Sequence, residues 1–118
     1  MVKDVAYQPD RGDLIYLDFS PQAGTEQAGR RPGLVLSSRD FNIATGLVAV
    51  CPLTNTQTGS KFEVPVPRGT RLSGVVLSHH FRTVDWIERK AAFHSKANDD
   101  LIRDVLERIE AILGIDVP

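Results

Sequence analysis

Apolar and polar positions divide the chain into short runs. From Asp13 to Phe19, Ile15, Leu17 and Phe19 alternate with Leu14, Tyr16 and Asp18, which predicts a strand ended by Ser20-Pro21. Leu34 to Ser37 is short and continuously apolar, as expected of a second strand buried on both faces. Ser38 to Gly46 is a connection with room for a helical turn, Asp40 being its candidate cap. Leu47 to Leu53 predicts a third strand, interrupted late by Pro52 and followed by the polar stretch Thr54-Asn55-Thr56-Gln57-Thr58-Gly59. Phe62, Val64 and Val66 alternate with Glu63 and Pro65; a proline cannot donate to a ladder, so this fourth strand belongs near an edge. Gly74 to Leu77 predicts a fifth strand, and Arg82 to Ile87 and Arg89 to Phe93 predict two more.

The end of the chain changes period. After Asn98-Asp99-Asp100, a cap with two early acids, Leu101, Ile102, Val105, Leu106, Ile109, Ile112 and Leu113 recur at offsets of three and four. This is one apolar face of a helix, with Gly114 as its stop and Asp104 and Arg108 as a favourable pair four residues apart. Many short strands before one amphipathic helix predict a mainly β, α+β fold: a small, strongly bent antiparallel sheet with the helix closing one open side.

With 118 residues the expectation is one domain, 1–118. Hydrophobic residues make up 42% and charged residues 25%, which excludes a disordered chain. Runs such as Leu47-Val48-Ala49-Val50-Cys51 are too short to cross a bilayer, so no membrane partner is expected. The first residues carry an early acid and no apolar segment, and a cytoplasmic address follows by default. A net charge of −1 excludes a general polyanion binder. Residues 1–94 nevertheless hold 11 Lys and Arg against 9 Asp and Glu, while residues 95–118 hold 3 against 6. Phosphate contact is therefore expected locally, on the first part of the chain.

The densest chemistry lies in Gly24-Thr25-Glu26-Gln27-Ala28-Gly29-Arg30-Arg31-Pro32, between the first two predicted strands. A loop that only reversed the chain would need neither its carboxylate nor its guanidinium groups. Together these can move a proton beside a phosphate. Pro32 biases Arg31 toward extended backbone, so Arg30 and Arg31 point to opposite faces; Arg31, nearer the strand, is the better held. A rigid guanidinium presents a planar fork to phosphate oxygens. Thr54, first after the third strand, can donate its hydroxyl to a phosphate. Cys51 is the sole cysteine, lies in an apolar strand, and reads as a buried small hydrophobe. No Cys/His spacing suggests zinc. His79 and His80, read as neighbours in a strand, face opposite ways and make a poor acid–base pair. One is expected to be structural and the other a contact residue. His94 is isolated and receives no role, and Trp86 and Phe81 could stack on bases, though a lone Trp is more often core.

Gly12-Asp13-Leu14-Ile15-Tyr16-Leu17-Asp18-Phe19-Ser20-Pro21 and Gly24 to Ser37 resemble the opening of the PemK/MazF-type toxins of bacterial toxin–antitoxin pairs, and the likeness continues more weakly to the terminal helix. The resemblance implies an SH3-like small barrel of bent antiparallel strands, CcdB/PemK-like, acting as a homodimer. It implies a sequence-specific endoribonuclease for single-stranded RNA that needs no cofactor or metal and leaves 2′,3′-cyclic phosphate and 5′-hydroxyl ends. It also implies a cognate MazE-like antitoxin, expected to be acidic and partly disordered. The family's catalytic positions fall on Arg31, Glu26 and Thr54. Arg31 would stabilise the phosphorane, Glu26 would take the 2′-hydroxyl proton or orient Arg31, and Thr54 would position the phosphate. Gln27, Arg30 and His80 are the candidate RNA contacts. Relatives commonly carry an acid and a Gln where this chain has His79-His80. The alternative is a non-enzymatic gyrase poison of the CcdB kind; those proteins use an aromatic carboxyl terminus, which Gly114-Ile115-Asp116-Val117-Pro118 lacks. A toxin that binds antitoxin but has lost cleavage is a third possibility.

Overall fold

The computed structural model describes residues 7–19 and 29–114. Its first strand, β1 (Asp13–Asp18), pairs antiparallel with β2 (Arg30–Val35), Leu14 standing opposite Leu34 and Leu17 opposite Arg31. The second strand thus begins at Arg30, before the apolar run at Leu34, because pairing with β1 needs backbone groups and not apolar side chains. A helix, α1 (Arg39–Thr45), leads into β3 (Leu47–Thr54), which pairs with β2. The cap of α1 is Ser38, not Asp40: extended backbone at Ser38 turns its hydroxyl to accept the Phe41 N–H at 3.3 Å, and Asp40 sits within the first turn.

Next come β4 (Glu63–Pro65), β5 (Val75–Leu77), a 3₁₀ turn (Ser78–His80), β6 (Arg82–Asp85) and β7 (Ala92–Lys96). The hydrogen-bonded order is β4-β5-β3-β2-β1-β7, with β6 also on β3. Pro65 therefore lies on an end strand, as its missing N–H requires. The strands are short, antiparallel and bent as expected of an SH3-like barrel, but the path runs from β4 to β7 without closing into a ring. The last strand begins at Ala92, later than Arg89, because residues 86–90 form turns: Arg89 N–H donates to Asp85 O, Lys90 N–H donates to Ile87 O, and Lys90 adopts φ +56°.

The helix α2 (Asp99–Leu113) is capped by Asn98, whose Oδ1 accepts the Leu101 N–H at 2.8 Å, and ends at Gly114 in left-handed backbone. Leu101, Val105 and Ile109 are buried, each stabilising the fold by about 1.5–3 kcal/mol, while Ile112 and Leu113 at the end of the apolar face are exposed. Arg108 does not use the Asp104 carboxylate. It donates to the carbonyls of Asp104 and Lys61, both at 3.1 Å, and so ties α2 to the segment before β4.

Alternation in the strands separates two cores. Leu14, Leu34, Leu36, Cys51, Leu53, Val64 and Val76 meet the apolar face of α2. Ile15, Leu17, Phe19, Val35, Val48, Val50 and Val84 enclose Trp86, whose indole N–H donates to Asn42 O at 2.9 Å. Trp86 is therefore core. Asn42, itself buried, donates to Pro9 O and Ser37 O and accepts the Ser37 hydroxyl, which fixes α1 on the sheet. At the start of β1 the buried Asp13 carboxylate accepts the Tyr7 hydroxyl and the Asp10 N–H and pairs with Lys96. Burial and that carboxylate push the Tyr7 phenol far above its usual range. Among the described residues no helix is long and apolar enough to cross a membrane.

Candidate functional site

The site is built around the far end of β3. Gly33 pairs with Pro52, Leu34 with Cys51 and Val35 with Val50. Leu34, Cys51 and Leu53 enter the core under α2, whereas Val35 and Val50 enter the other. By strand alternation Arg31, Gly33, Pro52 and Thr54 lie on the face shared with Val35 and Val50. The β2–β3 pairing ends at Gly33 and Pro52, and Arg31 and Thr54 each lie two residues beyond that pair. Close approach is possible because residue 33 is glycine: a Cβ there would meet Val50 Cγ2 at 2.7 Å and both Cys51 O and Phe19 Cζ at 3.2 Å.

The two arginines leave β2 differently. Arg30 is exposed and donates to Lys90 O at 3.0 Å; Arg31 is half-buried. A further guanidinium, that of Arg82, stands 6.0 Å over the Phe19 ring, within reach of a cation–π contact. Phe19 N–H donates to Gly29 O at 2.9 Å and Asp18 pairs with Arg30, so the ends of the intervening loop meet beside Arg31. Glu26 and Gln27, expected in the site, lie outside the described residues.

Thr54 is half-buried, and its Oγ1 accepts the Thr56 N–H at 3.1 Å. With the oxygen engaged from one side, the hydroxyl hydrogen can be donated to a ligand. Thr54 also borders a cavity of about 310 Å³, lined with it by Thr56, Thr58, Glu63, Leu77 and the two histidines. Glu63 closes the polar loop onto β4: its carboxylate accepts the Thr58 hydroxyl at 2.7 Å, the Thr58 N–H at 3.1 Å and the Gly59 N–H at 3.1 Å. These bonds, those of Thr58 foremost, hold its carboxyl below the usual range.

The histidines depart most from expectation. They are not on a strand and do not face opposite ways. Both lie in the 3₁₀ turn and border the same cavity, with ring centroids 4.5 Å apart and planes at 81°. The His79 ring also meets Phe62 at 5.8 Å. The cause lies on β3. Leu36 N–H donates to Ala49 O, so odd positions of β3 bond toward β2 and even positions toward its other edge. That edge receives β5 at Leu53 and Thr54 and β6 from Leu47 to Val50. Between them stands Pro52, which has no N–H to offer, and there the chain steps across as a turn. The turn is anchored by Ser78 N–H to Phe62 O at 3.1 Å.

Cys51 is buried, and desolvation pushes its thiol up to about 12, as suits a small core residue. Among the described residues no group of three or more His, Cys, Asp or Glu side chains is arranged to hold a metal ion. Sequence reasoning missed the roles of His79 and Glu63 in shaping the cavity; Pro52, interrupting an otherwise regular strand, was the available signal.

A short-stranded, bent antiparallel sheet with a terminal helix packed against one of its cores defines a small, mainly β protein. Residues 10–113 match the PemK-like, MazF-like toxin of type II toxin-antitoxin system. The chain belongs to that family. It is 36% identical over 108 residues to the endoribonuclease toxin MazF of Escherichia coli strain K12, covering 92% of this chain and 96% of that protein. It is 35% identical over 118 residues to the endoribonuclease toxin ChpB of the same organism, covering 96% of this chain and 99% of the other. The crystal structure of MazF from Deinococcus radiodurans superposes with a TM-score of 0.90 at 44% identity, over 93% of this chain and all of that one. A MazE-MazF structure from the same organism gives a TM-score of 0.84 at 43% identity, with the same coverage of both chains.

Proposed function

We propose that this chain is a toxin endoribonuclease that cuts single-stranded RNA at specific sequences without a metal, as a single-domain homodimer held in check by a MazE-like antitoxin in the cytoplasm. Its relatives' names, endoribonuclease toxin MazF and endoribonuclease toxin ChpB, support the reaction class, and the MazE-MazF complex among its structural neighbours supports the partner. The observation that supports the chemistry is that Arg31 and Thr54 each lie two residues beyond the Gly33–Pro52 pair, on one face by strand alternation. In the reaction a 2′-hydroxyl attacks the adjacent phosphorus and the bond to the 5′-oxygen breaks, giving a 2′,3′-cyclic phosphate and a 5′-hydroxyl. Negative charge grows on the non-bridging oxygens, and the Arg31 fork meets it, a contribution of about 3 kcal/mol for one well-placed donor. Thr54 donates to the same phosphate and sets its position. Glu26 takes the 2′-hydroxyl proton or orients Arg31. Gln27, Arg30 and His80 contact the RNA.

The test is end mapping of fragments from a mixed RNA pool, in buffer containing a chelator. The expected result is cleavage at a recurrent motif with cyclic phosphate and 5′-hydroxyl ends, lost in Arg31→Ala while dimerisation persists. A folded protein that cuts nothing, or an Arg31→Ala variant that cuts like wild type, refutes the assignment.

A further inference from the structure

The cavity beside Thr54 holds more proton-transfer capacity than cleavage by Arg31, Thr54 and Glu26 uses. Breaking the bond to the 5′-oxygen requires a proton for that oxygen. A guanidinium is a poor source, because it does not release its protons in proteins. Imidazole is the side chain whose ordinary range lies closest to neutrality, which suits it to general acid catalysis.

We infer that His80 is the proton donor to the leaving 5′-oxygen and that His79 positions it. The inference deepens the endoribonuclease reading and rests on it. Thr54 links the two halves of the site. By strand alternation it shares a sheet face with Arg31, and it lines the same cavity as both histidines. A phosphate bound at Thr54 therefore has the imidazoles beside it, at the edge of β3 that carries β5 and β6. In-line displacement places the attacking and leaving oxygens on opposite sides of phosphorus, so these imidazoles serve the leaving oxygen when the 2′-hydroxyl attacks from the β2 side.

The roles of the two rings follow from their surroundings. His79 is exposed and lies between the Phe62 ring at 5.8 Å and the His80 ring at 4.5 Å. His80 is half-buried, at the inner end of this row. Edge-to-face contact fixes the plane of the inner ring through the outer one. The Glu63 carboxylate, held by Thr58 and Gly59, borders the same cavity. The step balances: the 2′-oxygen–phosphorus bond forms, the phosphorus–5′-oxygen bond breaks, the 2′-hydroxyl proton passes to the base, and the His80 imidazolium gives its proton to the 5′-oxygen. Solvent then returns both groups to their starting states.

The test uses the full chain and two oligoribonucleotides spanning a site cut in the mapping experiment, identical except that sulfur replaces the bridging 5′-oxygen in one. A thiolate departs without a proton, so loss of a general acid is felt only on the oxygen substrate. His80→Gln is expected to slow cleavage of the oxygen substrate by about 100-fold or more and of the sulfur substrate by less than about tenfold. His79→Gln is expected to show the same selectivity in smaller degree. His80→Asn serves if the first variant does not fold. A His80 variant that cuts the oxygen substrate at the wild-type rate overturns the inference, as does equal slowing on both substrates, which marks a binding or structural role. In either case wild-type cleavage leaves the nuclease reading standing; a wild type that cuts neither substrate removes that reading and this inference with it.

Discussion

Gly74 tests whether Thr54 is held by its neighbours or merely ends a strand. The residue precedes β5, at φ +102°, and a Cβ added there would lie 2.3 Å from the Thr54 carbonyl oxygen and 2.9 Å from Asn55 Oδ1. The chain cannot easily withdraw, because Gly74 O accepts the Val66 N–H at 2.9 Å from the other side. In Gly74→Ala, left-handed backbone costs about 1–2 kcal/mol for an L side chain, and forcing a methyl against main chain costs about 1–3 kcal/mol more. Gly69→Ala is the matched control: φ is +88° but nothing lies within 4 Å of the added Cβ, so only the backbone part applies. With a urea dependence of about 1–3 kcal/mol per molar, Gly74→Ala should lower the unfolding midpoint by roughly 1–2 M and Gly69→Ala by roughly half that. RNA cleavage measured well below both midpoints should fall in Gly74→Ala, where Thr54 is displaced, and stay near wild type in Gly69→Ala. Equal midpoints for the two variants, or full cleavage by folded Gly74→Ala, would refute the claim that contact between β5 and Thr54 sets the site.

Other consequences can be measured directly. The lowered Glu63 carboxyl stabilises the fold above its ordinary value of 4.5, and that contribution is lost as pH falls through its folded-state value; the gap in urea midpoint between wild type and Glu63→Gln should therefore be full near neutrality and shrink on acidification to about pH 3. A gap that widens in acid contradicts the assigned bonds to Thr58 and Gly59. Cys51, buried with its thiol pushed up to about 12, should resist iodoacetamide at about pH 8 in the native protein and react in urea, as followed by mass spectrometry. Asn42→Ala strips the Pro9 and Ser37 carbonyls of their buried donor and should cost about 2–4 kcal/mol by chemical denaturation.

The elements that depend on local pattern were legible from residues alone. The period of α2, its Asn98 cap and its Gly114 stop are all written in side chains whose spacing matches one face of a helix. The alternation of β1 announced its two buried faces, with Leu14 going to one core and Ile15, Leu17 and Phe19 to the other. Ring closure was not legible, because it depends on how far bending carries β4 toward β7, a sum of many small twists. Nor was the capping of α1: Ser38 and Asp40 are both good cap residues, and extended backbone at Ser38 decides between them. In the site, Arg31 and Thr54 were legible as candidate chemistry, but the face they share was not, since it comes from the long-range register of β2 on β3. The histidines failed for a definite reason. A period of two was extended through Leu77 into a segment where β3 offers no donor, and a turn reverses the rule that adjacent side chains diverge.

Pro52 therefore does two things with one missing hydrogen. By breaking the outer edge of β3 between Val50 and Leu53, it forces the chain leaving β5 to turn before it can rejoin as β6. The turn falls beside Thr54, and its last two residues carry imidazoles. A threonine at the end of an unbroken strand would have a flat neighbour strand on that side and no cavity; here it has a recess of about 310 Å³ with a carboxylate on its wall. Meanwhile the inner edge of β3 remains regular, because Pro52 still pairs there with Gly33, two residues from Arg31. One strand thus keeps a rigid register on the side that carries the guanidinium and a break on the side that carries the histidines. Restoring the missing donor with Pro52→Ala would let β5 and β6 approach a continuous ladder, so the cavity should shrink and cleavage should fall even if the fold gains stability.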